Sequence, residues 1–230
     1  MSNPARTLQA VLWDMDGTLV DSEPLWGKAT YELAEILGNP LTPELRAKTV
    51  GGSFLSTLEV CAANAGKTLE DIDVDSLRRL MFDRMATLLG GIQPMSGVRE
   101  LLDDLVPLPM MVVTNTAREL ADPCIDAVGR QYFVDSVAGD EVDRPKPDPQ
   151  MYLTAAQRIG VAPANCMVFE DSWHGMSAGV SAGCVVIGLA EKVPEGATSI
   201  LDLKDRISLE GVNSHTLYRW FDRLGNREEL

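Results

Sequence analysis

The sequence predicts an α/β fold, a parallel sheet covered by helices on both faces, with one all-helical block inserted after the first strand. Three observations predict it. Short, nearly continuous apolar runs recur along the chain, as in strands buried on both faces. Helical spacing fills the intervals between them, which gives repeated strand–helix units. Residues 21–91 carry helical spacing alone.

Leu8-Gln9-Ala10-Val11-Leu12-Trp13 is the first strand, closed by Asp14. From Leu25 the apolar residues Trp26, Ala29, Leu33 and Leu37 share one helical face, and Gly38-Asn39-Pro40 ends that helix. A second helix is expected across 43–50, a third from Ser53 to Ala65, and a fourth on Val74, Leu77, Met81, Met85 and Leu88, stopping at Gly90-Gly91. Strands then return at Met110–Thr114, Val134–Ala138, Cys166–Glu170 and Val185–Ile187. Between them, Val98, Leu101, Leu102 and Leu105 define one helix, and Tyr152, Ala155, Ala156 and Ile159 another. Turn-rich stretches at 20–24 and 90–94 read as hinges, dividing a core of 1–20 and 92–230 from a helical unit of 21–91. The chain shows no internal repeat and no low-complexity tract.

With 230 residues, 45% of them apolar, the chain has material for one large core. A formal charge of -14 and the lack of a basic stripe argue against nucleic acid. No apolar run approaches the roughly twenty residues of a bilayer span, and the N-terminus lacks a signal pattern. Cys61, Cys124, Cys166 and Cys184 form no C-x-x-C pair and read as reduced core thiols, so a cytoplasmic location is expected.

Parallel sheets bind ligands beyond the carboxyl ends of their strands. Here those ends carry Asp14-Met15-Asp16-Gly17-Thr18, Thr114-Asn115 and Glu170-Asp171-Ser172. Four carboxylates brought together repel unless a hard cation neutralises them, and Mg2+ suits oxygen ligands. Taken singly, each element has a bland reading: D-x-D-G as a surface turn, Thr114 as a strand end, Lys146 as a solvated loop lysine, Glu170-Asp171 as part of a helix cap. Their joint occurrence in order at strand ends is what those readings do not explain.

Asp14-Met15-Asp16-Gly17-Thr18-Leu19-Val20-Asp21, after a buried strand, resembles the first motif of the haloacid dehalogenase-like hydrolases. Thr114-Asn115 resembles the second motif, Lys146 within Arg144-Pro145-Lys146-Pro147-Asp148-Pro149 the third, and Glu170-Asp171-Ser172 the fourth. The resemblance spans nearly the whole chain. It implies a three-layer Rossmann-like core with an inserted, mobile four-helix cap, and a phosphatase that hydrolyses a small phosphate monoester. In that reading Asp14 is the nucleophile that forms an aspartyl-phosphate, and Asp16 is the general acid and then the general base. Mg2+ is held by the Asp14 and Asp171 carboxylates and the Asp16 carbonyl, with Glu170 behind them. Thr114, Lys146 and the Asn115 N–H grip the phosphoryl oxygens.

Asp16 sets the chain apart from the dehalogenase branch, which lacks a second aspartate in its first motif. The β-phosphoglucomutase-like enzymes are a closer rival. They carry a histidine where this chain has Trp26, and a basic residue near Gly51-Gly52-Ser53 that is missing here, so hydrolysis is favoured. A silent binding module is the other alternative, which loss of Asp16 or Lys146 would have signalled. The stretch Asp21-Ser22-Glu23-Pro24-Leu25-Trp26 is similar to the sugar-phosphate phosphatases of the family, so a sugar or polyol phosphate is the implied partner, with no protein partner implied. Substrate contacts are expected from Gly51, Gly52 and Ser53, an inter-helix turn in its plainer reading, from Trp26, a core aromatic in its plainer reading, and from Arg118, a solvated helix-start arginine in its plainer reading. His174 is expected to be structural or exposed.

Overall fold

The computed structural model describes residues 6–226, so the expected core's residues 1–5 and 227–230 lie outside the described residues. Its strands are β1 (Ala10–Trp13), β2 (Met110–Val113), β3 (Asp135–Val137), β4 (Cys166–Glu170), β5 (Val185–Gly188) and β6 (Ala197–Ser199). They form one all-parallel sheet in the order β3-β2-β1-β4-β5-β6. The helices are α1 (Glu23–Leu37), α2 (Pro43–Ala47), α3 (Phe54–Asn64), α4 (Val74–Leu89), α5 (Val98–Leu105), α6 (Arg118–Val128), α7 (Gln150–Arg158), α8 (Trp173–Ser181) and α9 (Ser214–Gly225).

β1 sits at the centre because every residue in it is apolar and buried. Alternate side chains feed two cores: Val11 and Trp13 pack with α5, α6 and α9 on one face, Ala10 and Leu12 with α7 and α8 on the other. This is the expected three-layer arrangement. The registers Trp13↔Val112 and Trp13↔Phe169 bring the ends of β1, β2 and β4 to one line, and the Trp13 and Phe169 rings stack at 4.6 Å beneath it. From β1 the chain winds one way through β2 and β3 and the other through β4, β5 and β6. The strand order therefore reverses where a crevice opens beyond the strand ends.

α1 to α4 form the helical region inserted after β1. α1 buries Ala29, Leu33 and Leu37 against α3 and α4 and ends at Gly38, whose φ of 105° lets its N–H reach the Ala34 and Glu35 carbonyls. Thr42, Ser53 and Asp73 cap α2, α3 and α4 through their side chains. The expected helix over 43–50 is shorter, Pro43–Ala47, because the chain then turns through Gly51 at φ 69°. The expected strand over 134–138 is confined to Asp135–Val137. β6 and α9 were not foreseen. No helix among the described residues is long and apolar enough to cross a membrane.

Candidate active site

Asp14 leaves β1 directly into the crevice, and its N–H donates to the Phe169 carbonyl at 3.0 Å, which ties it to the neighbouring strand. The loop that follows folds back on itself, since the Met15 carbonyl accepts from the N–H groups of Thr18, Leu19 and Val20. Gly17 makes that turn at φ 83°, and a Cβ there would lie 2.0 Å from Asp171 Oδ2. Asp171 therefore stands directly over the Asp14–Gly17 loop.

Lys146 is buried, and all three of its ammonium protons have acceptors: Asp14 Oδ1 at 2.7 Å, the Val113 carbonyl at 2.7 Å and Glu170 Oε1 at 2.6 Å. Burial alone would lower its pKa, but the Asp14 and Glu170 carboxylates outweigh that and hold it charged. Glu170 is saturated as well. Oε1 also accepts from Tyr152 Oη at 2.9 Å, and Oε2 accepts from the Ser172 N–H and hydroxyl at 3.2 and 3.0 Å. Asp14 differs: its Oδ2 is buried with no hydrogen-bond partner among the described residues.

Oxygens of Asp14, Glu170 and Asp171 lie within 4.8 Å of one another. Burial drives the Asp171 carboxyl up to about 9, with the charges of Asp14 and Glu170 adding to the shift. Asp14 is raised too, by burial first and by Glu170 second, against the opposing pull of Lys146. Lys146 brings a single positive charge to this cluster of three carboxylates, which leaves negative charge in excess. The orphaned Asp14 Oδ2, in one carboxylate cluster with Asp171, therefore fits a hard divalent cation, while Glu170, with its acceptors taken, braces Lys146.

A prediction follows for the metal-free protein. Between the ordinary carboxylate value of 3.8 and about 9, folded Asp171 binds more proton than the unfolded chain, so its contribution to stability falls as pH rises through that window. Metal competes with that proton, so the increase in Tm on adding MgCl2 is expected to be larger near pH 8.5 than near pH 5.5. Differential scanning fluorimetry at both pH values checks it, and an equal or inverted increment would contradict the metal assignment.

Asp16, which is half-buried, takes hydrogen bonds on both oxygens. Ser22 Oγ and Trp26 Nε1, the latter at 2.8 Å, donate to Oδ1; Thr114 Oγ1 at 3.1 Å and Thr116 Oγ1 at 2.7 Å donate to Oδ2. Two of these donors come from the helical insertion and two from the segment after β2. Trp26 is thus a hydrogen-bond donor to Asp16 rather than only a core aromatic. Thr114, expected to grip phosphate, instead directs its hydroxyl at Asp16. The backbone N–H groups of Asp16 and Asn115 carry no acceptor among the described residues.

The Asn115 side chain joins three segments, donating to the Gly51 carbonyl at 2.8 Å and the Lys146 carbonyl at 3.1 Å and accepting from the Lys146 N–H at 2.9 Å. Gly51 packs on Ser172, where a Cβ would come within 2.5 Å of the serine Cβ, and His174 Nδ1 lies 3.2 Å from the Val50 carbonyl. The turn holding Gly51, Gly52 and Ser53 thereby reaches the line of strand ends and walls a cleft of about 390 Å³ that also includes Asp14, Asp16 and Lys146.

Arg118 does not join them. Its guanidinium is engaged by Glu141 at 2.7 Å, Ser136 Oγ at 2.6 Å and Asp122 at 3.3 Å, and it is not among the cleft residues. Sequence reasoning missed Thr116, Glu23 and Arg46. Thr116 recurs two residues beyond the strand-end Thr114, and Glu23 lies in the 21–26 stretch. Arg46 sits on a short helix whose pattern gave no warning that it turns inward.

Gly175, on the first turn of α8, lies against Glu170, and an added Cβ would fall 1.6 Å from Oε1. Gly175→Ala is expected to destabilise by about 2–4 kcal/mol through overpacking and loss of the Glu170–Lys146 geometry. Urea unfolding measures it, and a change below about 0.5 kcal/mol would show that Glu170 is not fixed as described.

A parallel α/β core with a carboxylate-lined crevice at its strand-order reversal, roofed by a helical insertion, defines a class of enzyme-like folds rather than one activity. The haloacid dehalogenase-like hydrolase family matches residues 8–183, and the chain belongs to that family. It is 31% identical over 195 residues to a phosphorylated carbohydrates phosphatase of Thermotoga maritima, covering 82% of this chain and 88% of the relative. It is 33% identical over 176 residues to the fructose-1-phosphate phosphatase of Escherichia coli, covering 75% and 92%. In shape it is similar to a β-phosphoglucomutase of Clostridium difficile, with a TM-score of 0.79 over 96% of this chain and 100% of that one at 18% identity, a likeness of fold alone.

Proposed function

We propose that the protein is a phosphatase that hydrolyses a small sugar or polyol phosphate through a phosphoaspartate on Asp14. The observation that carries this reading is the asymmetry of Asp14, which stands in one carboxylate cluster with Asp171: one oxygen is pinned by buried Lys146, and the other is buried and unpartnered among the described residues. Asp14 attacks phosphorus, and the ester oxygen departs with a proton from Asp16. A water then attacks the phosphoaspartate, returns its proton to Asp16 and releases inorganic phosphate. Lys146 orients Asp14, and the N–H groups of Asp16 and Asn115 are available to phosphoryl oxygens. Asp14 and Asp171 would hold Mg2+, which when bound neutralises the carboxylates and the phosphoryl charge.

In this reading residues 21–91 act as a cap on a core formed by the rest. Two connections cross between them, and they pair side by side through the Val20↔Pro94 bridge and a Met95 N–H to Leu19 carbonyl bond of 2.9 Å. Such a paired crossing suits a hinge that opens for substrate and closes over Asp16 through Ser22 and Trp26. The names of the two phosphatase relatives support the substrate class. Phosphate release from a panel of hexose, hexitol and aryl phosphates, with MgCl2 and with excess chelator, tests the proposal. Metal-dependent release is expected; interconversion of sugar phosphates without net release would favour a mutase, and tight binding without either would favour a silent module.

A further inference from the structure

Away from the catalytic carboxylates the cleft has a second polar cluster. Arg46 of α2 is buried, donates from Nη2 to Glu23 Oε1 and from Nη1 to Thr49 Oγ1 at 2.9 Å, and keeps a buried Nε without an acceptor among the described residues. Its guanidinium lies over α1 at Gly27, where even a Cβ would stand 3.6 Å from Nε and Nη2. Glu23 follows Ser22, the donor to Asp16, so the pair begins where the general acid ends. Its Oε2 accepts no hydrogen bond among the described residues, and Thr57 adds a buried hydroxyl to the same cleft. Phe54, Val74, Met81 and Phe82 supply apolar wall.

The charge around this cluster is lopsided. Asp75, Asp140 and Asp143 line the same cleft beyond the catalytic acids. Of its cations, Lys146 is committed to Asp14 and Glu170, and Arg46 to Glu23. Arg78 lies over the Phe82 ring, 4.2 Å from its centroid.

We infer that the cleft selects an uncharged, hydroxyl-rich leaving group read by the Glu23–Arg46 pair, and rejects phosphate esters whose leaving group carries a second anion. The inference rests on the phosphatase reading of Asp14 and deepens it. A hydroxyl both donates and accepts, so it can donate to Glu23 Oε2 while accepting from the guanidinium or a threonine. A carboxylate or second phosphate only accepts, and would face Glu23 and the acidic lining with no cation to spare except Arg78. Arg46 cannot turn toward such an anion without stranding Glu23 as a half-buried, unpaired charge.

Sorbitol 6-phosphate and 6-phosphogluconate differ at the end remote from phosphate, one bearing CH2OH and the other carboxylate, so they test the claim directly. With the magnesium-loaded full chain, kcat/KM is expected to favour sorbitol 6-phosphate by at least about tenfold. Glu23→Gln, which keeps the shape and removes the charge, is expected to bring that ratio toward one as the carboxylate ester gains. Equal or better hydrolysis of 6-phosphogluconate by the wild type, or an unchanged ratio in E23Q, would overturn the inference. p-Nitrophenyl phosphate separates the two levels: if it is hydrolysed while the preference is reversed, only the selectivity claim fails; if no ester is hydrolysed, the phosphatase reading fails and takes this inference with it. Should E23Q lose its cooperative thermal transition, the double variant E23Q/R46M removes both halves of the ion pair and carries the same ratio as readout.

Discussion

Asp14→Asn is expected to lower magnesium-dependent phosphate release by at least about four orders of magnitude while the chain still folds. The amide is nearly isosteric with the carboxylate but is no nucleophile, so neither Asp16 nor Lys146 can compensate for it. The stability expectation has the opposite sign. Burial and Glu170 hold the Asp14 carboxyl well above its ordinary range, so its ionised form is a burden on the metal-free fold at neutral pH. Lys146 keeps the Val113 carbonyl and Glu170 when that charge is removed. Metal-free D14N should therefore melt at or above the wild-type temperature near pH 8, and the difference should shrink on acidification as the native carboxyl takes up its proton. Single-turnover phosphate release and thermal melts read the two effects separately. Turnover within about tenfold of wild type would remove Asp14 as the nucleophile.

What the sequence made legible was whatever depends on local pattern. The run Ala10–Trp13 could only be a strand buried on both faces, and an aspartate directly after it could only stand at the sheet's carboxyl edge. The four helices of the insertion were readable because their apolar spacing and their stops at Gly38 and Gly90 are local features. Partners across the crevice were not readable. Nothing near Arg46 in sequence shows that its guanidinium meets Glu23, 23 residues earlier, because α2 is too short to carry a periodic signal. Arg118 failed for the complementary reason: its distance from Asn115 along the chain suggested the cleft, but the start of α6 turns it toward Glu141 and Ser136. Trp26 looked apolar by residue type, yet its indole N–H is spent on Asp16, a contact fixed only by where α1 enters the fold.

Lys146→Met shows how far the site and the fold share one residue. The change keeps most of the side chain's apolar length but deletes the ammonium group on which Asp14 Oδ1, the Val113 carbonyl and Glu170 Oε1 converge. Removing one partner of a buried charge cluster leaves the others uncompensated, at a cost of about 3–5 kcal/mol. Glu170 retains Tyr152 and Ser172 as donors, so the greater part of that cost falls on Asp14, whose carboxylate loses its only hydrogen-bond donor among the described residues. The Asp14 carboxyl then shifts further upward, so the deficit should be largest near pH 8 and smaller near pH 5.5, where it can hold a proton. Catalysis should fall by about two to four orders of magnitude, because Asp14 loses both its orientation and the cation that opposes its protonation. The loss should be chiefly in kcat, since Lys146 has no ammonium proton left over for a bound ester. Urea unfolding at the two pH values, beside kcat and KM for one hexitol phosphate, separates these effects. A variant of wild-type stability, or one altered only in KM, would mean that Lys146 serves the substrate rather than Asp14.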